Sequence, residues 1–346
     1  MDVNELKRRL QDHLTDGLVL VVGSGVSAGL GIATMSQLAD HILKNPPTGI
    51  LGEIEKQWNI VTEALQSGSD LETAMSSVDL DASLEDHVIR LTAELIEPQE
   101  RIIVQNAISG AKKLPLSELF LHLMATASNL PVITPNYDRL IEFAADVAGI
   151  GVDSMFVGQV LSKFDPVNSR EGLGYAAHTR TRTNIKRSYR KHIRVLKPHG
   201  SLDWFNYAGL PMRCGIPLDL PRLMVTPGKI KYVRGYEQPF DAHRNAANEA
   251  IDKAARFLIL GFGFNDQQLE THLRPQIKSG RPCVIMTKIL SANASGVIQS
   301  SDSVLALSEG AVGGNSGTLV TSSSGETFFP GPSLWDLQSF LSEVLT

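Results

Sequence analysis

Cysteine is almost missing from this chain. Two residues of 346, Cys214 and Cys283, are too few for a disulfide framework and exclude a four-cysteine zinc site. Long hydrophobic runs are missing too. The longest, Gly17–Val22 and Phe257–Gly261, have the length of buried strands and fall far short of the roughly 18 residues a membrane-spanning helix needs. The amino terminus, Met1 to Leu10, is charged and amphipathic and lacks the apolar core of a secretory signal, so it reads as the first helix of a cytoplasmic protein. There is no cationic excess either. A net charge of −5 argues against direct nucleic-acid binding, which draws its affinity from clustered cations that release counterions. What remains, 42% apolar and 20% charged, is the composition of a globular chain long enough to bury a substantial core as one domain over residues 1–346.

Leu6, Leu10 and Leu14 recur every four residues and predict an opening helix, which leads through Asp16 and Gly17 into a strand over Leu18–Val22. Residues 36–113 carry helical periodicity, with Leu84, Val88, Leu91 and Leu95 on one face, and read as a helical insertion. From Asn129 the pattern alternates. Strands are predicted over Leu130–Thr134, Arg194–Leu196, Leu223–Thr226, Phe257–Leu260, Cys283–Met286 and Val304–Leu307; helices are predicted over Arg139–Val147, Ala242–Ala255 and Gln267–Ile277. Such alternation predicts an α/β fold, a doubly wound parallel sheet with helices on both faces. Residues 310–346 read as a loose hairpin, Gly310–Pro332, and a final amphipathic helix, Leu334–Leu345. One biased segment, Arg180–Lys197, holds eight Lys or Arg and no acidic residue. It reads as a solvated strand or hairpin beside a ligand cleft, and it also suits a pyrophosphate or an acidic partner.

The first strand runs into Gly23-Ser24-Gly25-Val26-Ser27 and then a helix. Such a turn brings backbone N–H groups and the positive end of a helix against a phosphate, with two glycines clearing the approach and two serines adding donors. Glycines in tight strand-to-helix turns are also common for purely structural reasons. The spacing departs from the dehydrogenase fingerprint, since Ala28 stands where its third glycine belongs, and no acidic residue ends a second strand to hold a ribose. Hydride transfer is therefore disfavoured.

Two polar clusters follow, Thr134-Pro135-Asn136-Tyr137-Asp138 and Lys197-Pro198-His199-Gly200-Ser201, each closing an apolar strand. Side chains just past the carboxyl ends of strands in an open α/β sheet lie in its ligand crevice. A neutral carboxamide such as Asn136 can orient a hydroxyl or a water through both a donor and an acceptor, and a histidine such as His199 can take a proton near neutral pH. Read singly, the Asn is a turn residue and the His a loop residue, and Asp138 and Asp266 are N-caps of the helices that follow them.

As an ordered set the glycine turn and the two clusters resemble the signature motifs of sirtuins. More closely they resemble the sirtuin-like NAD-hydrolysing proteins of bacterial anti-phage defence, in which Gly261-Phe262-Gly263-Phe264-Asn265-Asp266 matches a fourth block. The resemblance implies a Rossmann-like crevice holding NAD as a substrate. By matching position, Gly23, Ser24, Gly25, Val26 and Ser27 would lie along the pyrophosphate and nicotinamide side, in a binding set that also takes in Thr134. Asn136 and His199 would be catalytic at the nicotinamide ribose, and Asp138 would hold the carboxamide. Gly261, Gly263 and Asn265 would approach the adenosine half, with Thr287 near the adenine.

The chain departs from the protein deacylases, which place a four-cysteine zinc ribbon after the catalytic His. Here the sequence continues from His199 through Trp204 without a Cys-x-x-Cys pair, and Ala33-Thr34-Met35 replaces the deacylase Pro-Asp-Phe-Arg element. No zinc is expected, and with the peptide groove in doubt the ribosyl group would pass to water, giving ADP-ribose and nicotinamide. The resemblance further implies a homo-oligomer, restraint until triggered, and a partner such as a hexameric DNA-translocating ATPase. The alternative is a binding module that senses NAD or ADP-ribose and signals without turnover.

Overall fold

A computed structural model describes residues 2–178, 185–226 and 237–345, apart from the side chains of 176–178 and 185–187. The first half opens with α1 (Val3–His13), β1 (Leu18–Val22), α2 (Ser24–Leu30), α3 (Met35–Lys44), α4 (Glu53–Gln66), α5 (Leu71–Ser76), α6 (Ala82–Ile108) and α7 (Pro115–Thr126). The middle holds β2 (Asn129–Ile133), α8 (Leu140–Val147), β3 (Gly151–Asp153), β4 (Phe156–Val157), β5 (Leu161–Phe164), α9 (Pro166–Glu171), β6 (Gly174–His178), β7 (Ile185–Tyr189), β8 (His192–Leu196), β9 (Gly200–Tyr207), β10 (Leu210–Cys214) and β11 (Arg222–Met224). The last part is α10 (Phe240–Lys253), β12 (Arg256–Leu260), α11 (Gln267–Lys278), β13 (Cys283–Met286), α12 (Ala292–Gln299), β14 (Val304–Val312), β15 (Asn315–Ser322), β16 (Gly325–Pro330) and α13 (Leu337–Val344).

The main sheet has nine strands in the order β16-β15-β14-β13-β12-β1-β2-β8-β3. From β14 to β3 every pairing is parallel, and β14, β15 and β16 close the edge as an antiparallel meander. Period-two alternation splits the parallel strands from β14 to β8 between two apolar cores. Leu18, Leu20 and Val22 of β1 face one with Val132 and Leu258, while Val19 and Val21 face the other with Ile133 and Phe257. The chain steps from β1 to β2 on one side and later returns to lay β12 on the other. This reversal opens a crevice at the carboxyl ends of β1 and β12, where open α/β sheets bind ligands. Helices α3 to α6 pack around a separate cluster that includes Trp58, Val61, Leu71, Leu84 and Val88.

Two expectations need correction. Leu223–Thr226 is no part of the parallel array; β11 lies in an antiparallel five-stranded sheet, β11-β9-β10-β5-β4. Alternation did not signal that sheet, because its strands are short and β9 buries consecutive residues from Gly200 to Phe205 on both faces. The tail is a registered meander rather than a loose hairpin. The basic segment Arg180–Lys197 lies partly outside the described residues; within it β7 pairs antiparallel with β6 and Arg190 and Lys191 are exposed, as expected of a solvated hairpin, whereas Lys197 is buried and Arg194 faces Asp153 at 3.5 Å.

Candidate active site

Four loops meet above the carboxyl ends of β1, β2, β8 and β12. Thr134 ties the first two, its hydroxyl donating to the Val22 carbonyl at 2.7 Å and accepting from the Asn136 N–H at 3.1 Å. Thr134 is fully buried, so its expected place in the binding set is corrected to a strut beneath it. Ser27 is the hub of the next layer. Its hydroxyl accepts from Asn136 Nδ2 at 3.0 Å and donates to Asp138 Oδ2 at 2.7 Å, while Asp138 Oδ1 accepts from the Leu140 N–H at 3.2 Å. The N-cap reading of Asp138 is corrected by one position: the helix starts at Leu140 with Arg139 as its cap residue, and Asp138, one residue earlier, reaches the Leu140 N–H while Ser27 orients its other oxygen.

Lys197 clamps the Asn136 loop to the His199 loop. The buried ammonium donates to the Asp138 carbonyl and to Ser201 Oγ at 3.0 Å, and it pairs with Glu142 at 3.3 Å. Leu202 N–H donates to the Tyr137 carbonyl at 3.0 Å, and the Tyr137 hydroxyl donates to the Val225 carbonyl at 2.6 Å. Burial raises the Tyr137 phenol well above its usual range, and the charges of Glu72 and Asp266 push the same way. Behind the loop the Lys197 N–H donates to His243 Nδ1 at 3.1 Å. Burial lowers His243 to about 3, aided by the cations Arg194, Lys197 and Arg213, so it is the neutral acceptor this bond requires.

The glycine turn differs from expectation. A Cβ at Gly23 would stand 2.4 Å from the Gly261 carbonyl oxygen, one at Gly25 2.9 Å from Gly261 Cα, and one at Gly261 2.6 Å from the Val26 nitrogen. These glycines let the β1 and β12 turns touch backbone to backbone, and Gly261 also takes a φ of +57°. The Gly23 N–H donates to the Leu260 carbonyl at 2.8 Å, the Gly25 N–H to the Gly261 carbonyl at 2.9 Å and the Val26 N–H to the Gly23 carbonyl at 3.2 Å. Three N–H groups of the expected phosphate cradle, those of Gly23, Gly25 and Val26, thus hold the fold.

The joined turns separate two cavities. One, of about 620 Å³, brings Asn136 and His199 together with Ser24, Ser27, Asp138, Gly263 and Asn265. The other, of about 690 Å³, is bordered by Gly25, Val26, Gly261 and Thr287. Gly263 and Asn265, expected beside Gly261, belong instead with the Asn–His pair. Thr287 has its hydroxyl on the Ile289 carbonyl at 3.0 Å.

The sequence reading missed three features. His199 Nε2 lies 3.1 Å from Asp266 Oδ2, both side chains being more than nine-tenths buried. The N-cap role, confirmed by bonds from the Gln268 and Leu269 N–H groups, explained Asp266 fully and left nothing to flag. Asp70 and Glu72, at the start of α5, wall the first cavity, and Lys112, Lys113 and Lys288 line the second. No local pattern ties these residues to a crevice far along the chain. Among the described residues, no group of three or more His, Cys, Asp or Glu side chains is placed to hold a metal, and no helix is long and apolar enough to cross a membrane.

Comparison with curated proteins finds no match. Solved structures that resemble the chain include a mutant Sir2 homologue in complex with 2'-O-acetyl ADP-ribose, 16% identical over 85% of this chain and 88% of that one, TM-score 0.43. A Sir2 homologue in complex with NAD is 16% identical over 86% and 87%, TM-score 0.41. Residues 131–289, which carry both polar clusters and the block from Gly261 to Thr287, match the family model of the SIR2-like domain.

Proposed function

We propose that this protein hydrolyses NAD at the bond between nicotinamide and ribose, releasing nicotinamide and ADP-ribose. The observation that carries the reading is the convergence of Asn136 and His199, from loops on neighbouring parallel strands, in one cavity whose other polar groups are already oriented. The match to the SIR2-like domain model over 131–289 supports it.

The residues present fit a dinucleotide. The first cavity offers Asp138, whose carboxylate can accept a further hydrogen bond from a carboxamide, and Asn136 and His199 for a ribose. The second offers a mainly apolar wall with Lys112, Lys113 and Lys288, cations suited to phosphate charge. NAD brings a leaving group that already carries positive charge, so the protein need supply no strong acid. Asn136 orients the water and ribose hydroxyls, His199 accepts a proton, and the enclosing walls limit bulk water. From His199 the chain passes directly into β9, and α5 walls the same cavity. This arrangement favours water over an acyl-lysine peptide as acceptor.

An unrestrained enzyme of this kind would drain the NAD of its own cell. The proposal therefore includes restraint by assembly, as a homo-oligomer or with a hexameric DNA-translocating ATPase, and a role in anti-phage defence. The test is nicotinamide release from NAD by the purified full chain, alone and with the product of the neighbouring gene. Release that depends on Asn136 is the expected result. Tight NAD binding with no turnover in any assembly would overturn it and favour a sensor.

A further inference from the structure

We infer that Asp266 is the positioning residue for His199: the carboxylate that caps α11 also fixes the imidazole at the reaction site. The inference rests on the NAD-cleavage reading. One oxygen of Asp266 is held in place, Oδ1 accepting from the N–H groups of Gln268 at 3.0 Å and Leu269 at 3.4 Å. That leaves Oδ2 aimed across the crevice at His199 Nε2, 3.1 Å away, with both side chains buried in the cavity that holds Asn136. The N–H direction is off the acceptor, a geometry that catalytic pairs commonly tighten when substrate arrives.

A cap alone does not require the turn that delivers this carboxylate. Phe264 has a φ of +56°, a conformation that is a genuine outlier for a bulky aromatic residue. It is held there by complete burial, with the Phe262 ring centroid 5.2 Å away and the Arg274 guanidinium 5.7 Å over its face. Strain maintained by packing beside a reaction cavity is the pattern of a turn shaped for geometry.

The carboxylate 3.1 Å from Nε2 favours the tautomer protonated there, and once that N–H turns onto Asp266 the basic nitrogen of the ring is Nδ1. His199 Nδ1 takes the proton that water sheds as the water oxygen bonds to the anomeric carbon. The bond to nicotinamide breaks with its electron pair going to the nicotinamide nitrogen. The imidazolium formed is stabilised by Asp266 and returns its proton to solvent. Water and NAD are thus accounted for as ADP-ribose, nicotinamide and one proton. Among the described residues, the other titratable groups about the pair are Asp70, Glu72, Tyr137 and Asp138, which line the cavity, and Lys197 and His243 behind the loop.

Asp266→Asn and Asp266→Ser separate the two duties, because Asn and Ser both cap helices while neither carries the charge. Two readouts apply. Nitrogen NMR of His199 in the protein without NAD reports the tautomer. The expected result is a wild type held as Nε2–H and a mixed tautomer in Asp266→Asn, with folding unchanged. Steady-state kinetics are expected to show kcat lowered by about 100-fold, within the range for a general base, with KM nearly unchanged and the acid limb of the pH profile moved to lower pH. Wild-type tautomer, kcat and pH profile in Asp266→Asn would overturn the inference. If the wild type releases no nicotinamide, the function reading fails instead, and the tautomer still judges the pair.

Discussion

The two cavities beside the β1 turn are built differently. On the Asn136 side nearly every polar group has a fixed partner: Thr134 holds the loop, Ser27 orients Asn136 and Asp138, and Lys197 joins the two loops. On the Gly261 side Lys113 and Lys288 stand at the surface, and their carboxylate partners among the described residues are the half-buried Glu118 at 2.7 Å and the exposed Glu309 at 3.9 Å. A side that must hold a reacting bond in one geometry works better when its groups are ordered before substrate binds, whereas a side that only retains a substrate has no such need. The difference therefore predicts that substitutions on the first side change kcat and those on the second change KM.

The largest effect is expected at the pair itself. Asn136→Ala and His199→Ala should each lower nicotinamide release by about 10²- to 10⁴-fold, with circular dichroism and melting temperature close to wild type. Turnover at the wild-type rate in both variants would erase the distinction between the cavities. Next comes the clamp. Lys197→Met removes the cation facing buried Glu142 and should cost about 3–5 kcal/mol in denaturant unfolding, the usual result of leaving a buried charge without its partner. Turnover should fall with it, because the Asn136 and His199 loops lose their shared support. Unchanged stability would show that the ordering of the first side comes from elsewhere.

The parallel sheet was legible because each strand is a short apolar run followed by a helix with its own period, as in Phe257–Leu260 and Gln267–Lys278. Asn136, Asp138 and His199 were legible because strand ends place such residues in the crevice. The five-stranded sheet was hidden, since Ser201 and Asp203 are buried beside Leu202 and Trp204 and leave no alternation to read. The glycines were seen, but their reason was not: a sequence shows that Gly23 and Gly25 clear space, and only the fold shows that Gly261 fills it. Asp266 and Glu72 were missed as wall residues because the fold, and no local pattern, brings them to His199 and Tyr137.

Acid should undo the ordered side. His243 is neutral in the fold at about 3 and has an ordinary value near 6.5 when unfolded, so the unfolded chain binds one more proton between those limits. Its stabilising contribution is complete above pH 6.5 and is lost as the pH falls toward 3, by a few kcal/mol at about 1.4 kcal/mol per pK unit. His13, lowered by burial to about 4, adds to the same slope. His243→Gln should flatten the pH dependence of unfolding over that window; an unchanged slope would assign the acid sensitivity to other groups.

The smallest effect tests the opposite cavity. Lys288 is well exposed and only 3.9 Å from Glu309, so it is free to swing toward a phosphate and carries little of the fold. An exposed cation beside an anion contributes about 0.5–1 kcal/mol, which converts to a rise in KM of about two- to fivefold for Lys288→Ala. Screening should erase that difference in high salt, because the interaction lies in water. The kcat should stay at the wild-type value, since the charge grips substrate and transition state alike. If Lys288→Ala instead lowered kcat at saturating NAD, the second cavity would be shaping the reacting bond as well, and the division between an ordering side and a retaining side would fail.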